Sequence, residues 1–230
     1  VRRYPQYKPS GVEWLGEVTA GWQVRRLKTL CRLNPSRSEV AALRDDTRVS
    51  FLPMERVGEW GELDLSGTQA IGDLREGFPY FRDGDVIVAK ITPCFENGKG
   101  AVCVGLSGGV GFGSTEFFVL QPGPEAHPRW LYYLTRSEPF RVIGATMMTG
   151  SAGQQRVPSA FVSDFETPVP PLSEQAAIVA FLDGKLAEMD RVFLLLERLA
   201  GPSQARTGLL AEYRAALIAD AVTGKIDCRP

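Results

Sequence analysis

The sequence has no apolar run long enough to cross a membrane and no basic-then-apolar leader pattern, so a cytoplasmic protein without a membrane partner is expected. Its four cysteines (Cys31, Cys94, Cys103, Cys228) lie far apart, with neither CxxC nor Cys/His spacing, which points to free thiols and no metal site. The one histidine, His127, sits between Ala126 and Pro128 without a placed serine or cysteine partner, so no nucleophilic triad can be drawn. Residues 105–113 are glycine-rich but match neither GxGxxG nor a phosphate loop, and a flexible hairpin is expected there. No carboxylate pair stands out, and Asn34-Pro35-Ser36 lacks the aromatic context of a DNA-methylating site. These absences favour a binding protein over an enzyme.

Net charge is also lacking, at −1, which argues against a simple basic nucleic-acid module without excluding DNA binding. The charges are unevenly placed. Arg2, Arg3, Lys8, Arg25, Arg26, Lys28, Arg32 and Arg37 make the beginning basic, whereas residues 55–85 are rich in Asp and Glu. A basic face and scattered, solvated charges both fit this distribution.

What is present is a strong helical period near the end. Pro170-Pro171 stops any preceding helix, Ser173 is placed to cap a new one, and Glu174 suits its positive dipole end. Ile178, Leu182, Leu186, Met189, Phe193 and Leu196 follow in steps of three and four and form one stripe. Gly201-Pro202 interrupts the stripe, which resumes at Leu210, Tyr213, Leu217 and Ala221 and stops at Thr223-Gly224. Such a stripe either packs back on its own domain or projects and docks against a like helix.

Before it, residues 1–22 read as an extended arm tacked down by Trp14 and Trp22, and residues 24–30 as a first strand. Strands are expected at 49–52, 86–91, 101–104 and near 117–120, with a helix around 68–76 and short helices at 128–135 and 138–143. The strand–loop–strand unit places Lys90, Thr92, Glu96, Asn97 and Lys99 near one tip. Residues 150–156 form a polar loop whose Gln154, Gln155 and Arg156 suit hydrogen bonding to bases or phosphates.

Gly11-Val12-Glu13-Trp14-Leu15-Gly16, Gly84-Asp85-Val86-Ile87, Lys90-Ile91-Thr92-Pro93 and Glu96-Asn97-Gly98-Lys99 are short motifs in a telling order. With Gly113-Ser114-Thr115-Glu116-Phe117, Gly153-Gln154-Gln155-Arg156-Val157, the 170–175 segment and Val222-Thr223-Gly224-Lys225-Ile226, they resemble specificity subunits of type I restriction-modification systems. The resemblance covers nearly the whole chain. It implies an α+β fold: a mixed β-sheet target-recognition domain, residues 1–169, then a long helical spacer, residues 170–226, forming an antiparallel coiled coil with a second copy.

It further implies a non-catalytic subunit bound to double-stranded DNA, an adenine-methylating modification subunit and a motor–nuclease restriction subunit. No cofactor is expected on this chain; S-adenosylmethionine, ATP and magnesium belong to the partner subunits. Family members carry two such units in tandem, whereas this chain has one. It is either half of a longer protein or a half-subunit that forms a homodimer reading a split, palindromic target. The DNA-binding candidates are Lys90, Thr92, Asn97, Lys99, Ser114, Thr115, Gln154, Gln155 and Arg156, with base choice in segments such as 36–80 and 105–112. The dimerisation candidates are Leu182, Leu186, Met189, Phe193, Leu196, Leu210, Tyr213 and Leu217. Competing readings are a helical assembly protein whose globular part does not read DNA, and an enzyme acting through Cys94 or His127.

Overall fold

A computed structural model describes residues 2–151 and 153–229; Ala152, inside the polar loop expected at 150–156, lies outside the described residues. The first segment is a β-hairpin rather than a loose arm: β1 (Tyr7–Pro9) pairs antiparallel with β2 (Glu17–Thr19). Trp22 is fully buried, whereas Trp14 is half-buried and stacks on Phe165 with ring centroids 5.2 Å apart. β3 (Gln23–Arg26) is shorter than the expected strand because Leu27–Thr29 turns into a 3-10 helix that buries Leu27.

β4 (Cys31–Leu33) and β5 (Arg48–Leu52) follow. The helix expected at 68–76 is instead β6 (Thr68–Ala70) plus a short turn, because Thr68 pairs with Ser50. Ile71 and Leu74, three apart, are both fully buried, which is the spacing that mimicked a helix. Then come β7 (Tyr80–Arg82), β8 (Val86–Ala89), β9 (Gly100–Val102), β10 (Val110–Gly113) and β11 (Phe117–Pro122). They form two four-stranded sheets, ordered β4-β11-β8-β9 and β6-β5-β10-β7, with β5 and β10 parallel.

β8 is apolar throughout because both its faces are covered. Val86 and Val88 join the main core with Phe118 and Leu120, while Ile87 and Ala89 join a second core with Phe117 and Val119. The glycines of 105–113 serve close packing rather than flexibility alone. A Cβ on Gly111 would stand 2.3 Å from the Phe81 ring, so only glycine lets β10 lie against β7 there.

Asp85, at the start of β8, is almost fully buried and accepts from the Arg82 N–H at 3.0 Å. Burial raises its carboxyl to about 6. The folded chain therefore holds a proton here that the unfolded chain releases near 4, so this group's contribution to stability falls as pH rises from about 4 to 6. Asp85→Asn keeps an acceptor for Arg82 and is expected to flatten the denaturant-midpoint profile across that window.

α1 (Pro128–Arg136), α2 (Glu138–Thr146) and α3 (Ser159–Asp164) precede β12 (Glu166–Val169), which pairs with β3. His127 caps α1: its Nδ1 accepts from the Arg129 N–H at 3.2 Å. α4 (Leu172–Ala200) and α5 (Gln204–Val222) are separated at Gly201-Pro202, as the sequence pattern indicates. Ser173 does not cap α4, because the helix begins at Leu172 behind Pro171 and Ser173 falls inside the first turn. Contacts between the beginning of α4 and the end of α5, and an ion pair from Asp190 to Arg214, make the two an antiparallel hairpin within one chain.

α5 stops at Gly224, with φ +78°, where a Cβ would meet Trp22 at 2.9 Å and Thr19 Oγ1 at 2.7 Å. The Gly224 carbonyl accepts from the Tyr7 and Thr19 hydroxyls, so the end of α5 is tied to the first hairpin.

Candidate nucleic-acid interface

β8 and β11 run out side by side, and the Lys90 N–H donates to the Glu116 carbonyl at 2.9 Å. Arg156 returns beside them, forming single bridges to both Thr149 and Ile91. Thr92 N–H donates to the Gln155 carbonyl (3.0 Å), and Val157 N–H to that of Lys90 (2.9 Å). The Arg156 guanidinium grips the Glu116 carboxylate with Nε at 2.9 Å and Nη2 at 2.7 Å. Ser114 Oγ accepts from the Glu116 N–H at 3.2 Å, and Thr115 stands exposed at the corner. One edge thus gathers Lys90, Thr92, Ser114, Thr115, Gln154, Gln155 and Arg156. Pairing with Arg156, helped by Lys90, holds the Glu116 carboxyl below the usual carboxylate range.

Asn97 and Lys99 have partners of their own beside this edge. The 92–98 turn is packed down rather than free: Phe95 is buried beside Phe140 (5.8 Å), and Arg136 donates to the Gly98 carbonyl at 2.8 Å. The Asn97 amide donates to Glu59 at 3.2 Å, and Lys99 engages Cys94 and Ala89 through its backbone. The tip read from the sequence is therefore covered on one side by α1 and α2, while Lys99 stays beside β8 through the Ala89 N–H.

The basic beginning of the chain is largely neutralised. Arg25 pairs with Glu125 (3.0 Å), Lys28 with Asp164 (2.7 Å), Arg26 with Asp164 and Glu166 (3.6 and 3.9 Å), and Arg32 with Glu39. Pairing of β3 with β12 puts Glu166 directly opposite Arg26, a neighbourhood that chain order does not reveal.

Sequence reasoning missed two carboxylates and an amide. Glu116 organises the polar edge as the partner of Arg156. Glu174, in the first turn of α4 as its reading as a dipole partner requires, also accepts from Tyr4 Oη at 3.0 Å and Trp22 Nε1 at 3.1 Å. Gln175 is fully buried: its oxygen accepts from the His127 N–H (2.7 Å), and its nitrogen donates to the carbonyls of Glu125 and Pro170 (both 2.9 Å).

The helical stripe divides in two. Ile178, Val179 and Leu182 of α4 and Ile218, Ala221 and Val222 of α5 belong to the chain's own main core. Leu182 is fully buried there, so it cannot belong to a seam between copies. Leu186 and Leu217 are half-buried against the same core. Farther out, Met189, Phe193, Leu196, Leu210 and Tyr213, with Leu217 at the inner end, line an open groove of about 830 Å³ between the helices. Leu196, Leu209 and Tyr213 are 43%, 67% and 62% exposed, so their apolar surface has no cover within the chain.

The chain is a mixed-sheet head with a polar edge, carried on an antiparallel helical hairpin. Among the described residues no cluster of His, Cys, Asp and Glu could hold a metal ion, and no helix is long and apolar enough to cross a membrane. Residues 19–188 match the family described as "Type I restriction modification DNA specificity domain", and the chain belongs to that family.

Two curated relatives, the type I restriction enzyme EcoEI and EcoAI specificity subunits of Escherichia coli, are 38% and 36% identical over 167 residues. These alignments cover 71% of this chain and 27% and 28% of the relatives, so the matched region is about a quarter of their length. The fold is also that of the HsdS subunit from Thermoanaerobacter tengcongensis, with a TM-score of 0.53 at 19% identity, covering 96% of this chain and 48% of that one. A chain from a structure described as underlying complex assembly and conformational transition of the type I R-M system gives 0.53 at 20% identity, covering 96% and 49%.

Proposed function

We propose that this chain is a non-catalytic DNA-recognition half-subunit, two copies of which read a bipartite, palindromic target. The family match over residues 19–188 carries the DNA-reading part, because it spans the head that holds the polar edge. The uncovered groove supports the pairing, since a two-fold axis makes one apolar surface its own complement. α4, with 29 residues, spans about 43 Å, enough to hold two heads about one DNA turn (34–36 Å) apart.

In this reading the head binds double-stranded DNA in the cytoplasm. A modification subunit supplies S-adenosylmethionine chemistry, and a restriction subunit supplies ATP- and magnesium-dependent cleavage. Mapping methylated adenines after co-expression with a modification subunit tests it, and methylation confined to paired, symmetric half-sites is the expected result. Random or absent methylation, with no mobility shift by the purified complex, refutes it. The neutralised N-terminal cations favour the rival reading of a helical assembly module, which predicts complex formation without any shift.

Lys90→Ala and Arg156→Ala are each expected to weaken DNA binding and lower the log–log salt slope by about one unit for every phosphate no longer held. Glu116→Gln should act in the opposite direction, because it frees the Arg156 guanidinium and removes an anion from the edge. A salt titration of the three variants checks this, and equal slopes throughout would take both cations off the DNA-binding surface.

A further inference from the structure

Trp60 lies at the tip of a hairpin closed by the Val57–Leu63 bridge, inside the connection between β5 and β6. Its ring is approached by two guanidiniums from different helices. Arg136 of α1 lies 3.6 Å from the ring centroid and Arg214 of α5 lies 4.3 Å from it. Arg136 is buried and also donates to the carbonyls of Glu59 and Gly98, while Arg214 pairs with Asp190 of α4. Desolvation disfavours the charge on both arginines, and the indole face offsets part of that cost beside the Asp190 carboxylate on Arg214. The Asn97–Glu59 hydrogen bond ties the 92–98 turn to the same tip.

The connection of the second sheet, α1 and α5 therefore meet at one aromatic ring, with α4 one ion pair away and the 92–98 turn tied to the neighbouring Glu59. We infer that Trp60 is a positioning residue that sets the angle of the reading head on the helical hairpin and thereby the spacing of the half-sites the chain accepts. This rests on the DNA-recognition reading above. Trp60 itself touches no base; it acts through Arg136 and Arg214. Loss of the ring loosens the β5–β6 connection from α1 and α5, so the second sheet keeps the cores that contain no spacer residue but shifts relative to the spacer.

The test has two arms, each on the full chain. In the first, bound duplexes selected from a pool of randomised 40-base-pair DNA report the half-site spacing. The unchanged chain is expected to favour one spacing, and Trp60→Ala to accept neighbouring spacings with discrimination reduced about tenfold. Half-site bases should stay the same, and Trp60→Phe should restore most of the discrimination.

In the second arm, spin labels at Glu76→Cys and Glu212→Cys report the distance between head and spacer, with Cys94 and Cys228 replaced by serine and labelled chain diluted with unlabelled. Trp60→Ala should broaden that distance distribution. Arg214→Met cuts only the α5 side of the contact and should do the same, so it decides the matter if Trp60→Ala fails to fold. Unchanged spacing and unchanged width in folded variants overturn the inference. If the unchanged chain enriches no sequence, the DNA-recognition reading fails, and the distance arm alone judges the clamp.

Discussion

The chain carrying Leu196→Glu and Leu209→Glu is expected to run as a monomer in light scattering, and the unchanged chain as a dimer at micromolar concentration. Both leucines are substantially exposed, 43% and 67%, so the substitutions leave the chain's own cores untouched. Burying one leucine contributes about 2 kcal/mol, and two-fold symmetry repeats each substitution on the partner. With the cost of burying glutamates added, the loss exceeds about 5 kcal/mol, or more than three orders of magnitude in dissociation constant.

The monomer should keep its unfolding midpoint and lose binding to a bipartite target, retaining at most the weak affinity of one head. A dimer that survives both substitutions would mean that copies meet elsewhere. A monomeric unchanged chain at tens of micromolar would remove the homodimer altogether.

Gln175→Leu is expected to destabilise the chain most among single substitutions away from the groove. Leucine is close in volume, so the change isolates the loss of hydrogen bonds rather than of packing. The His127 N–H and the carbonyls of Glu125 and Pro170 all lose their partner where water has little access. At about 1–3 kcal/mol for each orphaned group, the sum is on the order of 4 kcal/mol. For a chain of this size that lowers the thermal midpoint by roughly 10 °C. A midpoint within about 2 °C of the unchanged chain would show that these groups find other partners. The function of the lock is geometric: Gln175 joins the first turn of α4 to the loop that starts α1, so the spacer leaves the head in a defined direction.

Much of this architecture is legible locally. The Gly201-Pro202 break, the two short helices before it and the doubly covered β8 all follow from proline chemistry, period and β-branching. The helix expected at 68–76 did not form, because the Ile71–Leu74 spacing suits a buried turn as well as a helix face. The polar edge was partly legible. Its cations and amides stand out by type, but Glu116 gained a role only when the segment around Arg156 came back beside β11.

Residue order alone determined where α1, α2, α4 and α5 lie, which strand is apolar on both faces, and the family to which the motifs belong. Those properties depend on side chains a few positions apart, and local sterics and period decide them. Only the tertiary structure decided that the inner half of the helical stripe belongs to the chain's own core while the outer half stays open, since a stripe records that a face is apolar and not what covers it. It also decided that Arg25, Arg26 and Lys28 are spent on carboxylates distant in sequence. Coulomb attraction depends on separation in space, which chain position does not specify.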